Sequence, residues 1–256
     1  MIVFAILMAV GVPIAVAMMF GSIIAVVLSD KFTLVSVIHR MVAGVDSYIL
    51  LAIPFFILAG NLMNTGGVTR KLFRFASVLV GHIPGGLAHS NVVASIIFAG
   101  MSGSAVADAG GLGQVEIQAM REEGFDDEFS AAVTSASSTI GPIIPPSIPM
   151  VIYGAMAEVS VGALFMAGFI PGIVMGLLTM VLIYFMAKKR NYPVQPKPTL
   201  KVVLESFKES FLPLMTPVII IGGMWTGIFT PTEAAVVASI YSLILATLVY
   251  KELSIY

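Results

Sequence analysis

Between Glu128 and Lys188 the chain carries one charged residue, Glu158. So long an uncharged stretch cannot dress a water-facing surface. It is long enough for two bilayer crossings, at roughly 20 apolar residues each. The same pattern recurs along the chain. Charges gather at 30–46, 70–74, 116–128, 188–209 and 251–252, with apolar runs between them. Only 11% of residues are charged and 58% are hydrophobic, against about 25% charged in soluble domains. The pattern predicts an all-α polytopic membrane protein, with spans near 13–29, 48–65, 129–157, 160–187, 210–228 and 232–250. Met1–Val10 is apolar but too short to cross alone. It lacks the basic start and small-residue cleavage site of a signal peptide.

The same residues exclude whole classes of function. A net charge of -1 lacks the basic excess of a nucleic-acid-binding protein. With no cysteine there is no disulfide framework, thiolate metal site or Cys nucleophile, and three histidines leave little for zinc or haem.

Lysine and arginine set the orientation. Arg70, Lys71 and Arg74 form one basic segment. Lys188, Lys189, Arg190, Lys197, Lys201 and Lys208 form another, which Pro193, Pro196 and Pro198 mark as an extended linker. If both are cytoplasmic, an even number of crossings separates them. The runs at 129–157 and 160–187 supply two. The apolar run near His89–Val106 would make three, so it is expected to enter and leave on one side as a re-entrant hairpin. Val92–Met101 and Ala105–Gln114 would be its arms, and Ser102-Gly103-Ser104 its turn near the midplane. A continuous helix with a small-residue packing face is the alternative, and the parity count disfavours it.

The 129–157 span is interrupted as well. Pro142, Pro145, Pro146 and Pro149 lie within eight residues, and no α-helix continues through them. Helix is expected from Phe129 to Thr139 and again over Pro149–Glu158. Irregular backbone at membrane depth survives only where protein or a water-filled cavity satisfies it. A fainter signal is the echo between Gly11-Val12-Pro13 and Phe229-Thr230-Pro231-Thr232-Glu233. An odd number of crossings would separate these two helix starts, as in an inverted repeat.

The turn and the break together offer the hydroxyls of Ser102, Ser104, Ser137, Ser138, Thr139 and Ser147, and free carbonyls around Gly103 and Gly141. Neutral oxygens and helix C-termini suit a hard monovalent cation such as sodium. Calcium or magnesium would want carboxylates, and only Asp108 is near. Asp108 is either a coupling group or a structural acceptor for backbone N–H groups. The remaining polar residues have plainer readings. Glu233 reads as a helix cap with Thr230. Asn61, Asn64, Gly66 and Gly67 read as a helix exit, His39, His82 and His89 as interfacial, and the acidic Glu122, Glu123, Asp126, Asp127 and Glu128 as a solvated loop and helix start. Gly100-Met101-Ser102-Gly103 matches the G-x-S-G of intramembrane serine proteases. No histidine follows His89 to activate that serine, so an enzyme is not expected.

Four segments carry a family resemblance. They are Leu51–Gly60 (LAIPFFILAG), Ser102–Asp108 (SGSAVAD), Ser138–Ser147 (STIGPIIPPS) and Phe229–Ala235 (FTPTEAA). In this order they resemble the large membrane subunit of a tripartite ATP-independent periplasmic (TRAP) transporter, over almost the whole chain. The resemblance implies an ion-transporter-type elevator fold with two inverted repeats, each with a hairpin and a broken helix. It also implies sodium-driven uptake in the bacterial inner membrane. The implied partners are the lipid bilayer, a small membrane subunit and a periplasmic substrate-binding protein. The implied substrate is an organic acid of the C4-dicarboxylate, sialic acid or sugar acid class.

Carried onto this sequence, a sodium ion would be held by Ser102, Gly103, Ser104, Thr139 and Gly141. Ser138, Ser147 and Asp108 are candidates for substrate binding or coupling. The implied organisation begins with scaffold and arm helices over 1–86. A transport-domain part follows over 87–157, with the hairpin at 88–114 and the broken helix at 125–157. A transmembrane helix over 158–187 and a cytoplasmic linker over 188–209 lead into the first two helices of a second, incomplete repeat over 210–256. A partial large subunit is therefore expected. A self-sufficient anion transporter of the same fold group and a non-transporting membrane scaffold stay open as alternatives.

Overall fold

Backbone in lipid must satisfy its own N–H and C=O groups, and this chain does so with helices. The computed structural model describes residues 2–29 and 33–253, and no strand occurs among them. Met1, residues 30–32 and residues 254–256 lie outside the described residues. They take in the start of the Met1–Val10 run, part of the charged cluster at 30–46 and the end of the 210–256 segment.

Two compact units divide the chain, one up to Ser47 and one from Tyr48. In the first, α1 (Ile2–Ala9) packs on α2 (Ile14–Ser29), and α2 on α3 (Leu34–Val45). Ala17 is the one fully buried apolar residue described there. Apolar side chains such as Ile2, Ile14, Leu28 and Val45 stay exposed, as lipid-facing residues do.

In the second unit a 3₁₀ turn (Tyr48–Leu51) leads into α4 (Ala52–Thr65), then α5 (Val68–Val80) and α6 (Gly86–Ser102). α7 (Ala105–Ala107), a π-helical turn (Asp108–Leu112) and α8 (Gly113–Glu122) run on without interruption as one arm. Then come α9 (Asp127–Ser138), α10 (Ile148–Ala157), α11 (Val161–Arg190), α12 (Leu200–Trp225) and α13 (Pro231–Ile244), which ends in a second π turn, Leu245–Val249. Among the described residues four segments are long and apolar enough to cross a bilayer: Tyr48–Thr65, Val161–Arg190, Leu200–Trp225 and Pro231–Val249. This is the architecture of an integral, polytopic membrane protein.

The basic segments meet in space. Arg74 Nη1 pairs with Glu209 Oε2 at 2.7 Å, and Ser210 Oγ donates to the Lys71 carbonyl at 2.9 Å. α5 hides Leu72, Phe73 and Ala76 and leaves Arg70 and Arg74 exposed. The extended connection is shorter than the expected 188–209 linker. α11 runs to Arg190 and α12 starts at Leu200, so only 191–199 is irregular. The three prolines sit inside that gap. From Leu200 no proline interrupts the helix until Pro213, and Lys201 and Glu205 pair at 4.0 Å one turn apart.

One residue shows that α6 and α8 begin and end together. The Gln195 backbone N–H donates to the Gly81 carbonyl at 3.0 Å, and its Nε2 donates to Glu123 Oε1 at 2.6 Å. Gly81 precedes α6 and Glu123 follows α8, so the two arms leave and return at one end. The arms are longer than expected: helix–turn–helix runs over 86–122, not 88–114. Each arm is about 25 Å long rather than about 15 Å. The shorter count stopped at polar residues such as Asn91 and Glu116, which lie buried inside the arms.

Candidate functional site

The turn between the arms docks on the break in the α9–α10 helix. α6 ends at Ser102, and Gly103 takes a left-handed conformation, φ 61°. Ser104 then caps the second arm, its Oγ accepting the Ala107 N–H at 3.3 Å. On the other side α9 stops at Ser138. Ser147 caps α10, accepting the Met150 N–H at 3.2 Å and donating to the Pro142 carbonyl at 2.5 Å. The two meet through backbone, the Ile148 N–H donating to the Gly103 carbonyl at 3.3 Å. A Cβ on Gly103 would run into the Pro146 carbonyl. A Cβ on Gly141 would lie 3.3 Å from the Ser104 carbonyl carbon. Both glycines are there because backbone must touch backbone.

Two helix C-termini (Ser102, Ser138) and two serine-capped N-termini (Ala105, Ile148) therefore converge on one spot, bringing partial charges of both signs. Ser102 is buried, and its Oγ has no hydrogen-bond partner among the described residues. The Thr139 and Gly141 carbonyls accept no hydrogen bond among those residues either. The Thr139 side chain is exposed and donates back to the Ala136 carbonyl at 2.6 Å, so Thr139 has only its carbonyl to offer the spot. No group of three His, Asp or Glu side chains gathers among the described residues, and the oxygens named at this spot are hydroxyls and carbonyls.

Asp108 is buried one turn beyond the tip. It does not clamp backbone N–H groups. Its Oδ2 accepts from Ser95 Oγ at 2.8 Å, which ties the second arm to the first, while Oδ1 has no partner among the described residues. Ser138 is buried and donates to the Thr134 carbonyl at 2.7 Å.

The site leans on residues that do not stand out in the sequence. Asn91 Nδ2 donates to Thr134 Oγ1 at 2.7 Å, and Asn91 Oδ1 accepts from Ser137 Oγ at 2.6 Å, a buried polar ladder joining α6 to α9. Asn91 and Ser95 stand one turn apart inside an apolar helix. That intramembrane polar spacing was the available signal.

Asn64, expected merely to end a helix, reaches across to the Ala107 carbonyl at 3.1 Å. Four residues earlier, a Cβ on Gly60 would lie 3.0 Å from Ser102 Cβ, so α4 backs the tip closely. His89, expected at an interface, is buried in the first turn of α6, its Nε2 3.2 Å from the Pro84 carbonyl. Glu233 does form the capping box, its carboxylate accepting the Thr230 N–H at 2.8 Å. The charged residues around the loop after α8 are exposed and cross-tied, with Arg121 paired to Asp127 and Arg190 to Asp126, while Phe125 in the loop is buried.

Comparison with known proteins fits this architecture. The chain is 49% identical over 96% of its length to the sialic acid TRAP transporter large permease protein SiaM of Vibrio cholerae. It is 48% identical over 100% of its length to the sialic acid TRAP transporter permease protein SiaT of Haemophilus influenzae. It is 44% identical over 96% of its length to the C4-dicarboxylate TRAP transporter large permease protein DctM of Vibrio cholerae. It spans 57%, 41% and 55% of those three relatives, about half of their length. All three are named as transporter permeases, not enzymes. The family model for the DctM component of the tripartite ATP-independent periplasmic transporters matches residues 1–256, and the chain belongs to that family.

Proposed function

We propose that the chain is membrane machinery of a sodium-coupled importer of small organic acids in the bacterial inner membrane. The observation that carries this reading is the seating of the Ser102–Ser104 tip on the 139–147 break beside the unpartnered Ser102 hydroxyl. Neutral oxygens at helix C-termini are the donor set a monovalent hard cation takes. Sodium would be held by Ser102 Oγ and by backbone carbonyls of Gly103, Ser104, Thr139 and Gly141. Its charge would offset the two C-terminal dipoles and fasten the tip to the break. The capped N-termini beside Ser104 and Ser147 favour the carboxylate of an organic acid. Ser138 and Asp108 lie close enough to pass a change in the ion site to the first arm.

The hairpin is read as re-entrant. It would move as one body with the broken helix in an elevator mechanism, within an architecture of inverted repeats. A small membrane subunit would brace the remaining helices, and a periplasmic binding protein would deliver the substrate. The names of the relatives support sialic acid or a C4-dicarboxylate as the substrate class.

Uptake into proteoliposomes tests this. The large subunit is reconstituted with its small subunit and assayed with a panel of organic acids, with and without binding protein and an inward sodium gradient. Uptake is expected to need both. Ser102→Ala should raise the sodium concentration for half-maximal uptake roughly tenfold, the loss of one hydrogen-bond-sized contact. Unchanged sodium activation would overturn the site. Uptake without binding protein would make the chain part of a self-sufficient transporter.

A further inference from the structure

Glu116 has no place in the ion site, yet it is 0% exposed and neither carboxylate oxygen has a partner among the described residues. It stands roughly 18 Å along the second arm from Ser104. Leu112 and Met120, one turn before it and one turn after, are also fully buried and belong to the main apolar core. Asp108 lies one turn further back. The inward face of the arm thus reads Asp108, Leu112, Glu116, Met120, a carboxylate set within an apolar stripe. What α9 presents one turn away, at Gly113, is the Thr134 methyl group.

A bare carboxylate there would lose its hydration and gain no hydrogen bond in return. A metal ion would need several oxygens converging on it, and Asp108, the stripe's other carboxylate, stands two turns, roughly 12 Å, back along the arm. The elements packed against α8 are α6, α9 and the π turn. Their titratable groups are His89 on α6, Asp127 and Glu128 exposed at the start of α9, and Asp108 in the π turn. On α8 itself Arg121 and Glu122 are exposed. Of these, Asp108 is the charged group whose field reaches Glu116, and it is of the same sign.

We propose that Glu116 is a proton-binding site of the hairpin, separate from the sodium locus: it carries its proton while the arm is packed on α6 and α9, and losing that proton loosens the arm. The neutral form is the one that fits, so this stabilisation is fully present in acid, where the unfolded carboxyl is protonated too, and is lost steadily as pH rises above the ordinary carboxylate range.

The test needs no transport assay. Infrared spectra of the purified protein at neutral pH should contain the C=O band of a protonated carboxyl. Isotope-labelled glutamate should shift that band, and every other described glutamate is exposed. Glu116→Gln should remove it and Asp108→Asn should not. The thermal midpoint of the parent should fall toward alkaline pH. Glu116→Gln, which mimics the neutral form, should abolish that fall, and Glu116→Ala should be lowered at every pH. No glutamate-sensitive band in the parent would overturn the proposal even if the variants fail to fold. So would a band that survives Glu116→Gln, or the same alkaline fall in both proteins.

Discussion

α6 and α11 are both helices whose apolar stretches carry no charge, yet they face different surroundings. α11 has 30 residues, and those it buries (Val161, Phe165, Gly168, Gly172, Gly176, Ile183, Ala187) fall on one stripe. The rest of its circumference carries exposed side chains such as Leu178, Leu182 and Phe185, which suit lipid. Within the stripe the glycines make room for the broken helix and for α6. A Cβ on Gly172 would strike Ile144, and one on Gly176 would strike Ile96. α6 has 17 residues and buries 14 of them, round its whole circumference. Its interior positions include Ser90, Asn91, Ser95 and Ser102. A helix that lipid surrounds needs apolar length and one close-packing face. A helix enclosed by protein on all sides can afford hydroxyls and amides, because neighbouring helices satisfy them.

The sharpest way to break this contrast is at the α6 tip. Gly103→Val puts a β-branched residue into left-handed backbone, a strain of about 1–3 kcal/mol. It also drives a side chain into the Pro146 carbonyl that the tip rests on. Sodium-dependent uptake should fall to background, with the thermal midpoint lowered. Near-normal uptake would mean that the tip need not touch the break.

A smaller effect is expected halfway down the same helix. Asn91→Leu removes the rung between Thr134 and Ser137 and leaves their hydroxyls buried with fewer partners. The cost should be about 1–3 kcal/mol, read as a lower thermal midpoint in detergent. A neutral result would mean that Asn91 is replaceable by apolar packing, as the lipid-facing positions of α11 are.

The contrast also explains which parts were legible in the sequence. Hydropathy marks residues that face lipid, so α11 and the 48–65 and 232–250 segments stood out. Prolines mark where helix must stop, so the break around Gly141 was visible as well. The turn at Ser102–Ser104 was visible through small polar residues. Its docking on Pro146 and Ile148 was not, because contact between backbones leaves no side-chain signature beyond the glycines. The length of the arms was underestimated because Asn91 and Glu116 resemble helix ends when burial is unknown. Asn64 was misjudged for the same reason. Its neighbour Gly66 does end a helix, yet the amide itself bonds to Ala107, 43 residues away. Ser95 was visible only as a polar residue one turn from Asn91, and its bond to Asp108 needed the buried partner.

The smallest expected effect lies at the exposed end of α11, where the same kinds of bond occur in water. Asp126 Oδ2 accepts from the Tyr192 hydroxyl at 2.5 Å and from Arg190 at 2.8 Å, joining the start of α9 to the end of α11. The Tyr192 bond, and then Arg190, hold the Asp126 carboxyl below its ordinary value of 3.8. A depressed carboxyl stabilises the fold above its unfolded value and loses that contribution as pH falls through its folded value. The tie is therefore intact at neutral pH and released only well into acid. Exposed ion pairs contribute little because water and salt screen them. Asp126→Asn should lower the thermal midpoint only slightly at neutral pH, and the gap to the parent should close in acid. A loss as large as that of Asn91→Leu would mean that hydrogen bonds at the helix ends hold this unit together as firmly as those inside it, and the distinction between enclosed and exposed polar groups would fail.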